Sequence, residues 1–286
     1  MRLTRRDFIR LSLMGLASGL VSACSANAPE KAPNGAAGAL VARFLKVGKA
    51  DAILLSSDGA TVMVDTGDAD HAFDVVERLE ELGVTKIDTL IITHFDQDHV
   101  GGAAEVLDTF DVGEVLTTYQ SKESEEIDAY EEALERRGLT ARVVETDETI
   151  VRGGMTIDVI APRSTAYDKD TSNNSSLVCR VAFGSTRLLL AGDIQAERIA
   201  ELIDNGVDLT CDLLKIPHHG GLERYGATES LIEAAAPQYA VICCSKKEPD
   251  VSDVIDILEE NDIQYFRTNK GEVTATSDGK AISVEQ

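Results

Sequence analysis

The sequence predicts an α/β fold in which two β-sheets pack face to face with helices outside them. Three observations lead there. Strand-like apolar runs open both halves of the chain, strands and amphipathic helices alternate after them, and the polar residues with most chemistry fall just past apolar strands. Hydrophobic residues make up 43% of the 286 positions, tryptophan is absent and aromatics are 5%, so the core is expected to be Val, Ile, Leu and Ala.

The elements follow in order. Residues 40–47, 52–56 and 61–65 read as strands, with Asp58-Gly59 as the hairpin turn between the last two. Residues 73–82 have helical periodicity and stop at Gly83. Residues 88–93 form a strand that feeds a polar loop, 102–107 a short helix, 115–118 a strand, and 124–137 an acidic helix ended by Gly138. A second set of strands covers 141–145, 156–160, 176–183 and 187–191. Residues 195–204 read as a helix and 211–216 as a strand ending at Pro217-His218-His219-Gly220. Helix 229–235, strand 239–243, helix 251–259, strand 263–266 and a last hairpin complete the chain, with no internal repeat and no linker after residue 40.

The first 24 residues are read as a leader. Thr4-Arg5-Arg6-Asp7-Phe8-Ile9 is a twin-arginine pattern, the apolar stretch from Leu11 to Ala23 is short for a permanent span, and Val21-Ser22-Ala23-Cys24 resembles a lipobox. Residues 1–24 are therefore expected to be a twin-arginine signal peptide with Cys24 as the lipidated residue. Residues 25–38, rich in Ala, Asn, Pro and Gly, form a flexible tether, and 39–286 the folded domain. The expected location is outside the cytoplasm, lipid-anchored to the outer face of the cytoplasmic membrane. Cys179, Cys211, Cys243 and Cys244 lie in apolar runs without CxxC spacing and read as small buried hydrophobes, their disulfide status open.

The net charge is −23. Removing the leader takes four arginines and one aspartate from 27 basic and 50 acidic residues, leaving 23 against 49, or −26. Such a field repels polyanions, so long nucleic acid is disfavoured as a partner, though not excluded.

The densest chemistry is Thr93-His94-Phe95-Asp96-Gln97-Asp98-His99-Val100-Gly101-Gly102, in which His94, Asp96, Asp98 and His99 offer four metal-ligating side chains within six residues. Imidazole with carboxylate suits zinc, manganese or iron better than calcium or magnesium. Four of the five histidines fall in two clusters, His94/His99 and His218/His219. Asp65 in Val64-Asp65-Thr66-Gly67, Asn173-Asn174 and Asp193 in Gly192-Asp193 also follow strands. Ser175 and Ser176 lack a nucleophile elbow.

From residue 40 onward this order resembles the metallo-β-lactamase superfamily, in the branch that includes the hydrolase domain of the competence DNA-uptake channel. The motifs that carry the resemblance are Val47-Gly48-Lys49-Ala50-Asp51-Ala52, Val64-Asp65-Thr66-Gly67, the His-x-Asp-x-Asp-His loop, Asn174-Ser175-Ser176-Leu177, Gly192-Asp193 and Lys215-Ile216-Pro217-His218-His219-Gly220. The resemblance implies a four-layer αββα sandwich over 39–286 and two divalent ions, zinc or manganese. It implies that His94 and Asp96 hold one ion, that Asp98 and His99 hold the second with His218 or its neighbour His219, and that Asp193 bridges them. Asp65 would orient the metal loop without ligating, and Lys215 and His219 would contact a substrate anion. Asp98 would also take up a proton. The chain departs from the superfamily where a second loop histidine stands, here Asp96, and in having no histidine between His99 and His218, a region occupied by Asn173 and Asn174. The implied activity is hydrolysis by a metal-bound hydroxide, of phosphodiester bonds in a small or short anionic substrate. A lipoprotein that binds metal or ligand without turnover, and an extracellular DNA nuclease, are the alternatives.

Overall fold

The computed structural model describes residues 38–221 and 226–286; the leader, Cys24 and the tether up to residue 37 lie outside the described residues. Strands β1 (Leu40–Phe44), β2 (Ala52–Ser57) and β3 (Ala60–Thr66) lead to α1 (Ala72–Glu81), β4 (Lys86–Ile87) and β5 (Thr89–Ile92). Then come α2 (Gln97–Val100), α3 (Ala103–Thr109), β6 (Asp111–Val112), β7 (Val115–Thr117), α4 (Glu125–Arg137) and β8 (Ala141–Val143). The second half has β9 (Glu148–Arg152), β10 (Met155–Ile160), α5 (Thr171–Asn174), β11 (Val178–Phe183), β12 (Thr186–Leu190), α6 (Ala196–Asp204) and β13 (Leu213–Lys215). It closes with α7 (Ala227–Ala235), β14 (Tyr239–Ile242), α8 (Ser252–Glu260), β15 (Gln264–Arg267), β16 (Val273–Ser277) and β17 (Ile282–Glu285).

One sheet has the order β17-β16-β1-β2-β3-β5-β7-β8, the other β15-β14-β13-β12-β11-β10-β9, and β4 with β6 makes a small parallel pair. Each half begins as an antiparallel meander and continues as parallel strands joined by helices: β3, β5, β7 and β8 in one sheet, β12 to β15 in the other. The last hairpin crosses back, β16 pairing with β1 from Leu40 opposite Ser277 to Phe44 opposite Val273.

Three apolar clusters show the layers. Leu40, Ala42, Ile53, Val62, Val64 and Ile91 of the first sheet meet Ile157, Val181, Leu188, Leu190 and Val241 of the second. Leu54, Met63, Leu90 and Ile92, on the opposite face of the first sheet, pack on Val75 and Leu79 of α1, Leu107 of α3 and Tyr130 of α4. Leu189, Leu214 and Ile242 meet Ile199 of α6, Leu231 of α7 and Val254 of α8. This is the αββα sandwich, and strands buried on both faces explain the near-continuous apolar runs in β2, β3 and β5.

Local chemistry accounts for the boundaries. Asp58 (φ 47°) and Gly59 (φ 80°) form the left-handed pair of the β2–β3 hairpin. Ser124 Oγ accepts from Ile127 N (3.3 Å) to cap α4, and Gly138 at φ 65° ends it. The polar edge strand β9 and the single-turn helices α2 and α5 have no counterpart in the sequence reading. Each is too short, or too polar, to show a period of its own.

Candidate metal centre

The centre lies at the C-terminal ends of parallel strands, where an α/β sheet presents its chemistry. Asp65, at the end of β3, is buried and left-handed (φ 58°). Its Oδ1 accepts from Thr93 N (2.7 Å), and its Oδ2 faces Thr93 Oγ1 (2.7 Å) and His99 Nδ1 (2.8 Å). One carboxylate therefore fixes both the end of β5 and a histidine of the loop beyond it. Thr66 Oγ1 adds a bond to His99 O (2.9 Å), and Asp51 N one to Asp98 O (3.0 Å).

From the second sheet, β12 delivers Asp193 and β13 delivers the histidine pair. His218 and His219 are both left-handed (φ 50° and 54°). The kink turns His219 inward and leaves His218 half-buried, its backbone N–H donating to Asp193 Oδ1 (3.1 Å). Asp193 Oδ2 lies 3.0 Å from His219 Nε2 and 3.1 Å from His99 Nε2, and Asp98 Oδ2 lies 3.2 Å from His219 Nε2. The His94 and His99 rings stand 4.1 Å apart.

These residues fit a divalent metal. His94, His99 and His219 are fully buried, yet the Nε2 of each lacks a hydrogen bond of acceptable geometry. Their Nδ1 atoms are engaged: His99 by Asp65, His219 by Cys243 O (2.9 Å), and His94 by Thr93 Oγ1 (3.1 Å), whose own proton goes to Asp65. Each imidazole thus keeps a proton on Nδ1 and turns its Nε2 into the centre, the nitrogen that would ligate once any proton on it is displaced. His94, His99 and Asp193 offer ligand atoms within 4.8 Å of one another, as do Asp98, His99 and His219.

The electrostatics agree. Burial pushes His94 down to about 4, with the charge of His99 acting in the same direction. Burial acts the same way on His219 but is outweighed by Asp193, Asp98 and Asp51, which lift it to about 9. His99 is raised well above its usual value, against burial, by Asp193 and Asp65. Burial raises Asp193, yet His219, His99 and Lys215 together hold it well below the carboxylate range. Without metal, protons shared between histidine and aspartate offset the buried charge.

The structure thus brings together His94, Asp98, His99, Asp193 and His219. Asp96 stands at the rim: its Oδ1 is 3.9 Å from His94 Nε2 and is engaged by Ser172 Oγ and Lys122 Nζ. The sequence left His218 and His219 open as the ligand; His219 is the one whose Nε2 faces Asp193 and Asp98, turned there by the left-handed kink. One sequence assignment changes. Lys215 does not face a substrate: it is fully buried, its ammonium shared by Gly192 O (2.8 Å), Asp193 Oδ1 (3.1 Å) and Asp51 Oδ2. It acts as an internal counter-charge. Asn174 Oδ1 accepts from Gln195 N (3.0 Å) and Arg198 N (3.2 Å) and so caps α6. Asn173 bonds Asp170 (2.8 Å), and its carbonyl accepts from Ser176 Oγ, which in turn accepts from Asp193 N (3.3 Å).

Three residues escaped sequence reasoning as site residues. Asp51 is buried beside Lys215, 3.6 Å from His219 Nδ1. Lys49 Nζ sits 2.9 Å from Asp98 Oδ2, and Lys122 meets Asp96. Asp51 and Lys49 belong to the 47–52 motif, whose place after β1 signalled them; Lys122 carries no local signal. Arg163 pairs with Asp147 (2.6 Å), and Arg224 lies outside the described residues. The fifth histidine, His71, pairs with Asp68 (2.7 Å).

Among curated proteins, ComE operon protein 3 of Bacillus subtilis is 25% identical over 248 residues, 79% of this chain and 31% of that protein. Recombination protein 2 of Haemophilus influenzae is 25% identical over 210 residues, 72% of this chain and 24% of that protein. The chain thus spans about a quarter to a third of the relatives it matches. Among solved structures, the metallo-β-lactamase fold protein YhfI of Bacillus subtilis superposes with a TM-score of 0.54 at 11% identity, covering 86% of this chain and 99% of that one. Residues 45–246 match the family described as the metallo-β-lactamase superfamily, and the chain belongs to that superfamily.

Proposed function

We propose that the chain is a metal-dependent hydrolase of phosphodiester bonds in a small or short anionic substrate, acting outside the cytoplasm on a lipid anchor at Cys24. The observation that carries the reading is the gathering of three buried Nε2 atoms, of His94, His99 and His219, that lack hydrogen bonds of acceptable geometry, around Asp193 and Asp98. Asp98, His99, His219 and Asp193 would hold one divalent ion; His94 and Asp193, joined by Asp96 once its partners at the rim give way, would hold a second. Zinc, manganese or iron suits this nitrogen and oxygen set and would supply Lewis acidity and a lowered water pKa. Asp65 keeps His99 in the ligating tautomer, and Lys215 keeps Asp193 ionised. Asp98, beside the cleft, is placed to take up the proton of the attacking water. The competence-protein relatives favour a phosphodiester; the leader and lipobox favour export.

Turnover of bis(p-nitrophenyl) phosphate by the purified protein, with zinc, manganese or iron, tests this against His94→Ala and Asp193→Ala. Metal-dependent hydrolysis lost in both variants is the expected result. Bound metal without turnover of this or other ester substrates would favour a metal-binding lipoprotein, a reading supported by the distance of Asp96 from His94 and by the use of Asn174 as a helix cap. Cleavage of long DNA in preference to the small ester would favour the nuclease alternative.

A further inference from the structure

A cleft of about 590 Å³ opens over the centre, between the turn at Asp68–Asp70, the loop carrying Asp96 and Asp98, and residues 122–126. Among the described residues that line it, the cations are Lys49 and Lys122. Each ammonium stands against a carboxylate of the centre, Lys49 on Asp98 and Lys122 on Asp96, and each side chain is 37% exposed. Both are part-exposed while His94, His99 and His219 are buried, so they stand on the solvent side of the ligands.

We infer that Lys49 and Lys122 form a two-point clamp for the phosphoryl oxygens of a compact phosphodiester. The inference rests on the hydrolase reading for its substrate class. A carboxylate that ligates a divalent ion holds an ammonium less strongly, because the ion neutralises its charge. Each lysine has three donors, and an ammonium is a point charge suited to phosphate oxygen. The cleft volume falls within the range of about 300–1,000 Å³ typical of small-molecule sites. Its walls also carry Asp68, Asp70, Glu123 and Glu126, against which the flanking phosphates of a polymer would be repelled. The clamp and this acidic rim together select a short substrate.

The test titrates inorganic phosphate calorimetrically into the manganese-loaded protein, its Lys49→Gln and Lys122→Gln forms and the double variant. Metal content is measured in parallel, with KM and kcat for bis(p-nitrophenyl) phosphate. Loss of one charge-assisted contact should weaken phosphate binding about tenfold per lysine. KM should rise by a similar factor while metal content stays near wild type, and Lys→Arg at either position should restore most of the binding. Unchanged phosphate affinity in the double variant overturns the clamp, as does a loss that follows loss of bound metal. Lysine-dependent phosphate binding without hydrolysis keeps the clamp and removes the hydrolase reading. Hydrolysis with unchanged KM in the double variant does the reverse.

Discussion

Replacing Asp65 with Asn tests how far one buried carboxylate governs the centre. The side chain is 0% exposed and accepts from three groups: Thr93 N, Thr93 Oγ1 and His99 Nδ1. An amide has one oxygen to offer. If that oxygen stays on Thr93 N, the NH2 group faces the His99 Nδ1–H, and His99 either loses its partner or moves its proton to Nε2. In the second case the ligating lone pair is gone. If the amide flips, its NH2 opposes Thr93 N–H, and the loop that carries His94 is pushed away. A hydrogen bond to a charged acceptor is worth about 1.5–3 kcal/mol. Removing the group that orients a ligand histidine costs about 10- to 100-fold in metal affinity, which is the same range, about 1.4–2.8 kcal/mol. Competition against a chromophoric chelator measures the affinity directly, with circular dichroism as the check on folding. A folded Asp65→Asn protein that binds zinc or manganese as tightly as wild type would refute the claim that Asp65 sets the His99 tautomer.

Three further outcomes follow from the same geometry, and a fourth from the proposed lipid anchor. In the metal-free protein, stability from the raised pKa of His219 is present in full below about 6.5 and is lost as pH climbs through about 9; that from the lowered pKa of Asp193 is lost as pH falls below about 3.8. Because an ion must displace the proton on His219, the melting-temperature gain on adding manganese should grow from pH 6 to pH 9; a gain independent of pH would contradict this linkage. Lys215→Met removes the ammonium that the buried Asp51 and Asp193 share, leaving Asp51 without its nearest counter-charge, and should cost about 3–5 kcal/mol in denaturant unfolding. Combination with Asp51→Asn should recover part of that loss. Gly102→Ala would drive a Cβ into Thr66 O and should destabilise the fold by about 1–3 kcal/mol, read as a lower denaturation midpoint. The proposed lipid anchor predicts that Cys24→Ala moves the protein from the membrane fraction to the soluble one, and unchanged fractionation would overturn it.

The layer order was legible in the sequence because strands buried on two faces need unbroken apolar runs. Strand ends were legible because a polar residue beside glycine cannot continue such a run. β9 was not, since an edge strand alternates too weakly to stand out from a polar loop. The His94–His99 loop and the His218-His219 pair marked a metal centre by residue type and spacing, which are local properties. The choice of His219 over His218 was not local in that sense: it depends on two consecutive left-handed residues and on where Asp193 and Cys243 O stand. Nor was the inward turn of Lys215, which follows from the placement of Asp51 from the first sheet against Asp193 from the second. Lys49 and Lys122, 73 positions apart, come to line one cleft only through that packing. The sequence by itself therefore determined the family, the layers and the kinds of candidate ligand, because each is written in local pattern. Which imidazole reaches the centre, which charge is internal and what guards the entrance were decided by the tertiary structure, because each depends on distances between residues that only folding brings together.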